Sequence, residues 1–314
     1  MLWPMKSAPK KGRPRLAGSR KISGETGGTQ KEKPAGGSSP VQEVFVFVHG
    51  LNQCPSALDE WAGFFRDKGY GVEQAVLPGH QVQPLPPPSN VSAASGNPVP
   101  EPWPDFSRGL DPWLAALDRA ALTAAHKWPG AELSLFGYSL GGVLGLVWAG
   151  QTARPLSRAV LISPPFRLRC LPALALGLLA PWLPGRLPIP SLAPRKMRVH
   201  GFTPVGAYRI LSKAAARLQQ APPAHIPRFV VVHPQDELIS TRFLEQQEAL
   251  QALNQPPHLD RLVNFHRLDH LHRLAHPWPA GGIHHLATGP QTMGRENWAS
   301  VTAALKDWLA NPPL

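Results

Sequence analysis

The chain has 314 residues, of which 43% are hydrophobic, and a net charge of +12; that apolar content builds a substantial core and excludes a wholly disordered or fibrous chain. No apolar segment follows the first basic residues and no run reaches the length of a bilayer span, so the expected protein is soluble and cytoplasmic. Cys54 and Cys170 lie too far apart for a metal-ligand or redox spacing and read as thiols in a reducing compartment.

Residues 1–40 hold nine Lys/Arg against Glu25 and Glu32, leaving a charge of +5 for the rest. Rich in Gly, Ser, Pro and Lys, this basic tail lacks apolar periodicity and is expected to be disordered. Lys11-Gly12-Arg13-Pro14-Arg15 carries the Gly-Arg-Pro core of an AT-hook. One short copy is weak evidence, and the tail reads as solvated chain rather than a nucleic-acid arm.

Residues 41–314 read as one domain. Strand candidates fall at 43–48, 72–77, 133–136, 159–162, 229–232 and 262–265, with β-branched and aromatic bias. Helical patterns fall between them, at 56–68, 112–127, 140–151, 241–253 and 296–309. The alternation predicts an α/β fold: a mostly parallel central sheet of about six strands with helices on both faces. Little before residue 43 reads as strand, so no antiparallel hairpin is expected to precede it. Two insertions interrupt the rhythm: a proline-rich stretch, 81–104, expected as a surface loop without regular structure, and an excursion, 164–226, expected to cap the site.

Gly137-Tyr138-Ser139-Leu140-Gly141 lies between an apolar run and a helical pattern. A strand turning sharply into a helix lifts a serine hydroxyl clear of the sheet, and the flanking glycines let the backbone pass. Ser139 is the candidate nucleophile. Further back, the first strand ends in His49-Gly50-Leu51-Asn52. Backbone N–H groups at such a turn can stabilise a tetrahedral oxyanion, and the N–H groups of Leu51 and Leu140 are the candidate donors.

With Leu77-Pro78-Gly79-His80, and with Asp236 in His233-Pro234-Gln235-Asp236, these motifs make the chain resemble the α/β-hydrolases, in the branch of monoacylglycerol lipases, lysophospholipases and small carboxylesterases. The resemblance covers residues 43–310. It implies the α/β-hydrolase fold with an inserted cap, an ester substrate that is small or lipid-like, and a Ser, acid, His order. Asp236 follows a strand and takes the acid role in that order. Gln81 departs from the glycine that relatives carry after the Gly-His pair, at the start of the proline-rich insertion.

The base has two candidates, because six histidines fall between His266 and His285. Counting forward from a last strand at 262–265 selects His270, and counting back from the terminal helix selects His285. His285 is preferred, since the base belongs on the loop joining the last strand to the last helix. No metal or organic cofactor is expected. The apolar run 171–183 suits an acyl chain if one side faces the pocket, cap packing if it does not, or transient membrane-surface contact. An amide, peptide or carbon–carbon bond as the target and a silent binding protein on the same scaffold remain as alternatives. No motif specifies an oligomeric state.

Overall fold

In the computed structural model the described residues are 40–83, 99–166, 182–191, 197–220, 226–233, 236, 270–273 and 288–311. In chain order their strands are β1 (Glu43–Val48), β2 (Gly71–Ala75), β3 (Val82–Gln83), β4 (Val99–Pro100), β5 (Glu132–Tyr138), β6 (Ala159–Ile162), β7 (Pro188–Pro190), β8 (Phe202–Pro204), β9 (Arg228–Val232) and β10 (His270–Arg273). The helices are α1 (Asp59–Asp67), α2 (Asp111–Lys127), α3 (Leu140–Ala149), α4 (Val205–Gln220), α5 (Pro290–Met293) and α6 (Arg295–Ala310).

β1 is buried along its whole length. Its side chains divide by the strand period of two: Phe45 and Phe47 enter one core, Val46 and Val48 the other. Such a strand needs both faces covered. Accordingly β1 sits inside a six-stranded sheet of order β10-β9-β6-β5-β1-β2, in which every described pairing is parallel. Helices α2, α3 and α4 supply the core on the Val46 face, and α1 and α6 supply the other. There the Phe47 and Phe136 rings stack with centroids 4.3 Å apart, and Trp61 packs 5.5 Å from Phe136.

The α/β expectation therefore holds, with six strands in one sheet. One expectation needs correction. The proline-rich stretch is not devoid of regular structure: β3 and β4 pair antiparallel, Val82 with Pro100 and Gln83 with Val99. Its ends are further drawn together by Glu101 N–H donating to the Gln81 carbonyl at 2.9 Å. The last described strand is β10, beginning eight residues after the expected start at 262. Residues 262–265 and 241–253 lie outside the described residues, as do the basic tail, 1–39, and most of the apolar run 171–183.

Of the 164–226 insertion, the structure describes an antiparallel β7–β8 ladder leading into α4. β7 reads Pro-Ile-Pro, tolerable because a short outlying ladder needs few N–H donors. At the end of the apolar run 171–183, Trp182 is 86% exposed.

Candidate active site

Ser139 makes the whole turn between β5 and α3, with φ 49° and ψ −120°. Left-handed backbone at a residue with a Cβ costs about 1–3 kcal/mol and is kept only where surroundings enforce it. Here they do. The Ser139 N–H donates to the Ile162 carbonyl at 2.8 Å, tying the turn to β6. A Cβ at Gly137 would lie 2.4 Å from Gly142 Cα, and one at Gly141 would lie 2.0 Å from the Val48 carbonyl oxygen. Only glycine lets strand, helix and the exit of β1 approach this closely. Ser139 ends 9% exposed, at the C-terminal edge of the sheet.

That close approach presses the β1 exit loop onto the elbow. Leu51 is half-buried in this loop, and Leu140 is the first, fully buried residue of α3. The loop is held from behind by Asn52, itself at φ 56°. Its Nδ2 donates to the His200 carbonyl at 2.9 Å, and its Oδ1 accepts from the His200 N–H at 2.8 Å. Thus the 164–226 insertion and the loop after β1 share one side chain.

Three buried histidines surround it. The His49 Nδ1–H donates to the Gly50 carbonyl at 3.0 Å, and Nε2 accepts from the Leu77 N–H at 3.2 Å. In His80, Nε2 accepts from the Asn52 N–H at 2.9 Å and Nδ1–H donates to the Pro78 carbonyl at 3.2 Å. His200 Nε2–H donates to the Gly79 carbonyl at 2.8 Å. Burial lowers the His49 pKa from 6.5 to about 4, against a smaller opposing effect of the Gly50 bond. Burial, then the neighbouring His49, carries the His80 pKa well below the ordinary value. Both are neutral structural imidazoles, each accepting at one nitrogen and donating at the other.

Asp236 lies past the end of β9, 1% exposed, its N–H donating to the His233 carbonyl at 3.0 Å. β9 is two strands from β5, so Ser139 and Asp236 end strands on the same edge, roughly 10 Å apart at two strand spacings. His270 opens β10 opposite Phe229, whereas the elbow is level with Val232 and Arg273. Three strand positions place it roughly 10 Å below the edge that carries Ser139. His285 lies outside the described residues.

Sequence reasoning missed Asn52, His200 and Trp103, whose ring packs 5.0 Å from His80 and 4.8 Å from His200. The Leu-Pro-Gly-His turn flagged His80 without its role. Ser163 was also missed: it follows β6 at φ 47°, 1% exposed, its hydroxyl without a hydrogen-bond partner among the described residues.

Across residues 39–259 the chain matches the profile of Hydrolase_4, described as serine aminopeptidase, S33. The chain belongs to the Hydrolase_4 family. No curated protein matches this member in sequence. Among solved structures, a soluble variant of Saccharomyces cerevisiae monoglyceride lipase in complex with a substrate analog is 14% identical, covers 88% of each chain and superposes with a TM-score of 0.59. The Paleococcus ferrophilus monoacylglycerol lipase is 17% identical over 86% of this chain and 95% of its own, with a TM-score of 0.55. A structure reported for LipS and LipT, metagenome-derived lipolytic enzymes, is 20% identical over 76% and 85%, with a TM-score of 0.51. At such identities the likeness is one of fold, and the fold of this Hydrolase_4 member is that of the α/β-hydrolases.

Proposed function

We propose that the protein is a serine hydrolase that cleaves carboxylic esters, lipid-like or small, through Ser139, His285 and Asp236. The observation that carries this reading is the strained elbow: a serine at φ 49°, held there by glycines that no other residue can replace. The Ser139 hydroxyl attacks the ester carbonyl while the histidine takes its proton; Asp236 orients the imidazole and stabilises its cation. The N–H groups of Leu51 and Leu140 receive the oxyanion. The alcohol leaves with the proton, and water releases the acyl group by the same steps reversed.

Two strand spacings between Ser139 and Asp236 leave room for one imidazole hydrogen-bonded at both nitrogens. A residue opening β10 is too low for that gap, which favours the connection after β10, where His276, His284 and His285 occur. His285 is retained as the base. Separate replacement of these three and of His270 by Ala, with hydrolysis of nitrophenyl butyrate as readout, assigns it. The proposal for His285 fails if its replacement leaves turnover intact.

Labelling by a fluorophosphonate tests the whole reading. The wild type is expected to be labelled and Ser139→Ala not, with ester turnover reduced at least about 10⁴-fold. An unlabelled wild type ends it. The family's description names an aminopeptidase, which favours amide hydrolysis as the second reading. Nitroanilide turnover exceeding that of the matched nitrophenyl ester would establish it. The lipolytic activity named for the structural relatives supports a lipid-like ester, and a rising chain-length series of nitrophenyl esters is the expected result.

A further inference from the structure

A cleft of about 860 Å³ lies between the segment 102–107 and the cap, away from the elbow. Trp103, Phe106 and Phe202 form its apolar part, and Arg186, Arg209 and Lys213 bring positive charge to it. The one carboxylate among the described lining residues, Asp105, is already engaged: its oxygens accept from the Ser107 N–H at 3.0 Å and the Ser107 hydroxyl at 2.7 Å. Arg186 and Arg108 both lie close enough to favour its ionised form.

The donors are less well served. Arg209 gives Nη2 to the Leu183 carbonyl, but its Nε, like the Trp103 indole nitrogen, is buried without an acceptor among the described residues. The positive charge of Arg186, Arg209 and Lys213 selects an anion, because a concave wall of one sign concentrates the opposite charge. Three aromatic rings select a hydrocarbon or aryl body. The volume suits a small organic molecule.

We infer that this cleft is a binding site for an amphiphilic anion, a carboxylate or phosphate head carrying an apolar chain or ring. Ser139 is not part of its lining, so it is separate from the proposed reaction centre. Trp103 joins the two, since the ring that walls the cleft packs on His80 and His200, which hold the loop of Leu51 and Asn52. An occupant is thus placed to steady the oxyanion side of the elbow.

Titration calorimetry of full-length Ser139→Ala with octyl phosphate, below its micelle concentration, tests the site without any dependence on hydrolysis. Octyl phosphate is expected to bind at least about tenfold more tightly than octan-1-ol or inorganic phosphate, and to weaken by a similar factor in Arg186→Gln/Lys213→Gln. Added salt should lower the affinity. Equal binding of octan-1-ol would reveal a merely apolar surface, equal binding of phosphate an unspecific cation patch, and an unaltered double variant a different site; each overturns the inference. Arg186 and Lys213 are exposed, and an unchanged melting temperature verifies that the variants fold. Should the pair fail to fold, the single replacement Lys213→Gln decides on the same criterion. Fluorophosphonate labelling and octyl phosphate binding can fail independently.

Discussion

At the N-terminal edge of the sheet, charge is buried and paired; at the C-terminal edge, described polar side chains are buried largely neutral and the backbone is strained. On the first edge Arg158 grips Glu43 with Nη2 and, at 2.8 Å, with Nε, while Nη1 donates to the Leu309 carbonyl at 2.8 Å. The Ser134 hydroxyl adds a bond to Glu43 at 2.5 Å. Burial opposes the Arg158 charge, but the bonds and charge of Glu43 hold its pKa above the ordinary value. On the second edge stand Asn52, Ser139 and Ser163, all at positive φ, with neutral His49 and His80 behind them. The first arrangement fixes one register of β1 against the last helix. The second keeps a site whose electrostatics can answer to a reacting group.

The largest effect should come from the charged edge. Arg158→Met leaves Glu43 buried without its cation and is expected to cost about 3–5 kcal/mol, a fall in melting temperature of roughly 10 °C. Adding Glu43→Leu should restore most of it, since two apolar residues need no pairing. Thermal unfolding of both variants checks this. kcat/KM of the folded fraction should hardly change, because the edge is remote from Ser139; a drop would mean the two edges are coupled.

Acid should act on the other edge. A folded pKa below the unfolded one means that the unfolded chain binds more protons, so stability falls as pH drops from 6.5 toward 4. For His49 the full difference is about 3 kcal/mol, reached below pH 4. His80 acts in the same direction. The melting temperature should therefore decline across that interval, and less steeply in His49→Asn and in His80→Gln. Equal slopes in wild type and variants would show that these imidazoles are not the groups being protonated.

The difference between the edges also explains what could be read in the sequence. The elbow was legible because its requirements are local: five residues, two glycines and a following helix. The interior strands were legible because burial on both faces leaves unbroken apolar runs such as Glu43–Val48. β10 was not, since His-Leu-His-Arg at a sheet edge carries no such run. Counting from a strand at 262–265 therefore put His270 after the strand, while in the structure it opens one. The partnership of Asn52 with His200 spans 148 residues and no local pattern announces it. Trp103 and the β3–β4 ladder were hidden in a stretch whose proline content argued for irregularity.

Asn52→Ala tests that long-range contact. It leaves the His200 N–H and carbonyl to find new partners, an expected loss of about 1–3 kcal/mol. The loop of Leu51 also loses its tie to the cap, and misplacement by about 1 Å can lower the rate about 10²-fold. With the proposed ester substrates the fall should appear in kcat rather than KM, because the oxyanion donor proposed at Leu51 would act in the transition state. A variant with less stability but full kcat would make Asn52 a structural staple only.

Ser163→Gly should have the smallest effect and the opposite sign. Ser163 and Ser139 end adjacent strands at φ 47° and 49°, yet only Ser139 is given a chemical role. Glycine relieves the left-handed backbone and removes a buried hydroxyl that has no partner among the described residues, against a loss of about 1 kcal/mol from added chain freedom. A net gain of about 1 kcal/mol, read as a raised melting temperature, is expected if the strain is a by-product of the strand ending. Unchanged ester turnover would accompany it. If the melting temperature rises while kcat falls, the hydroxyl of Ser163 is in use during the reaction, and the strain at both serines then has a catalytic origin.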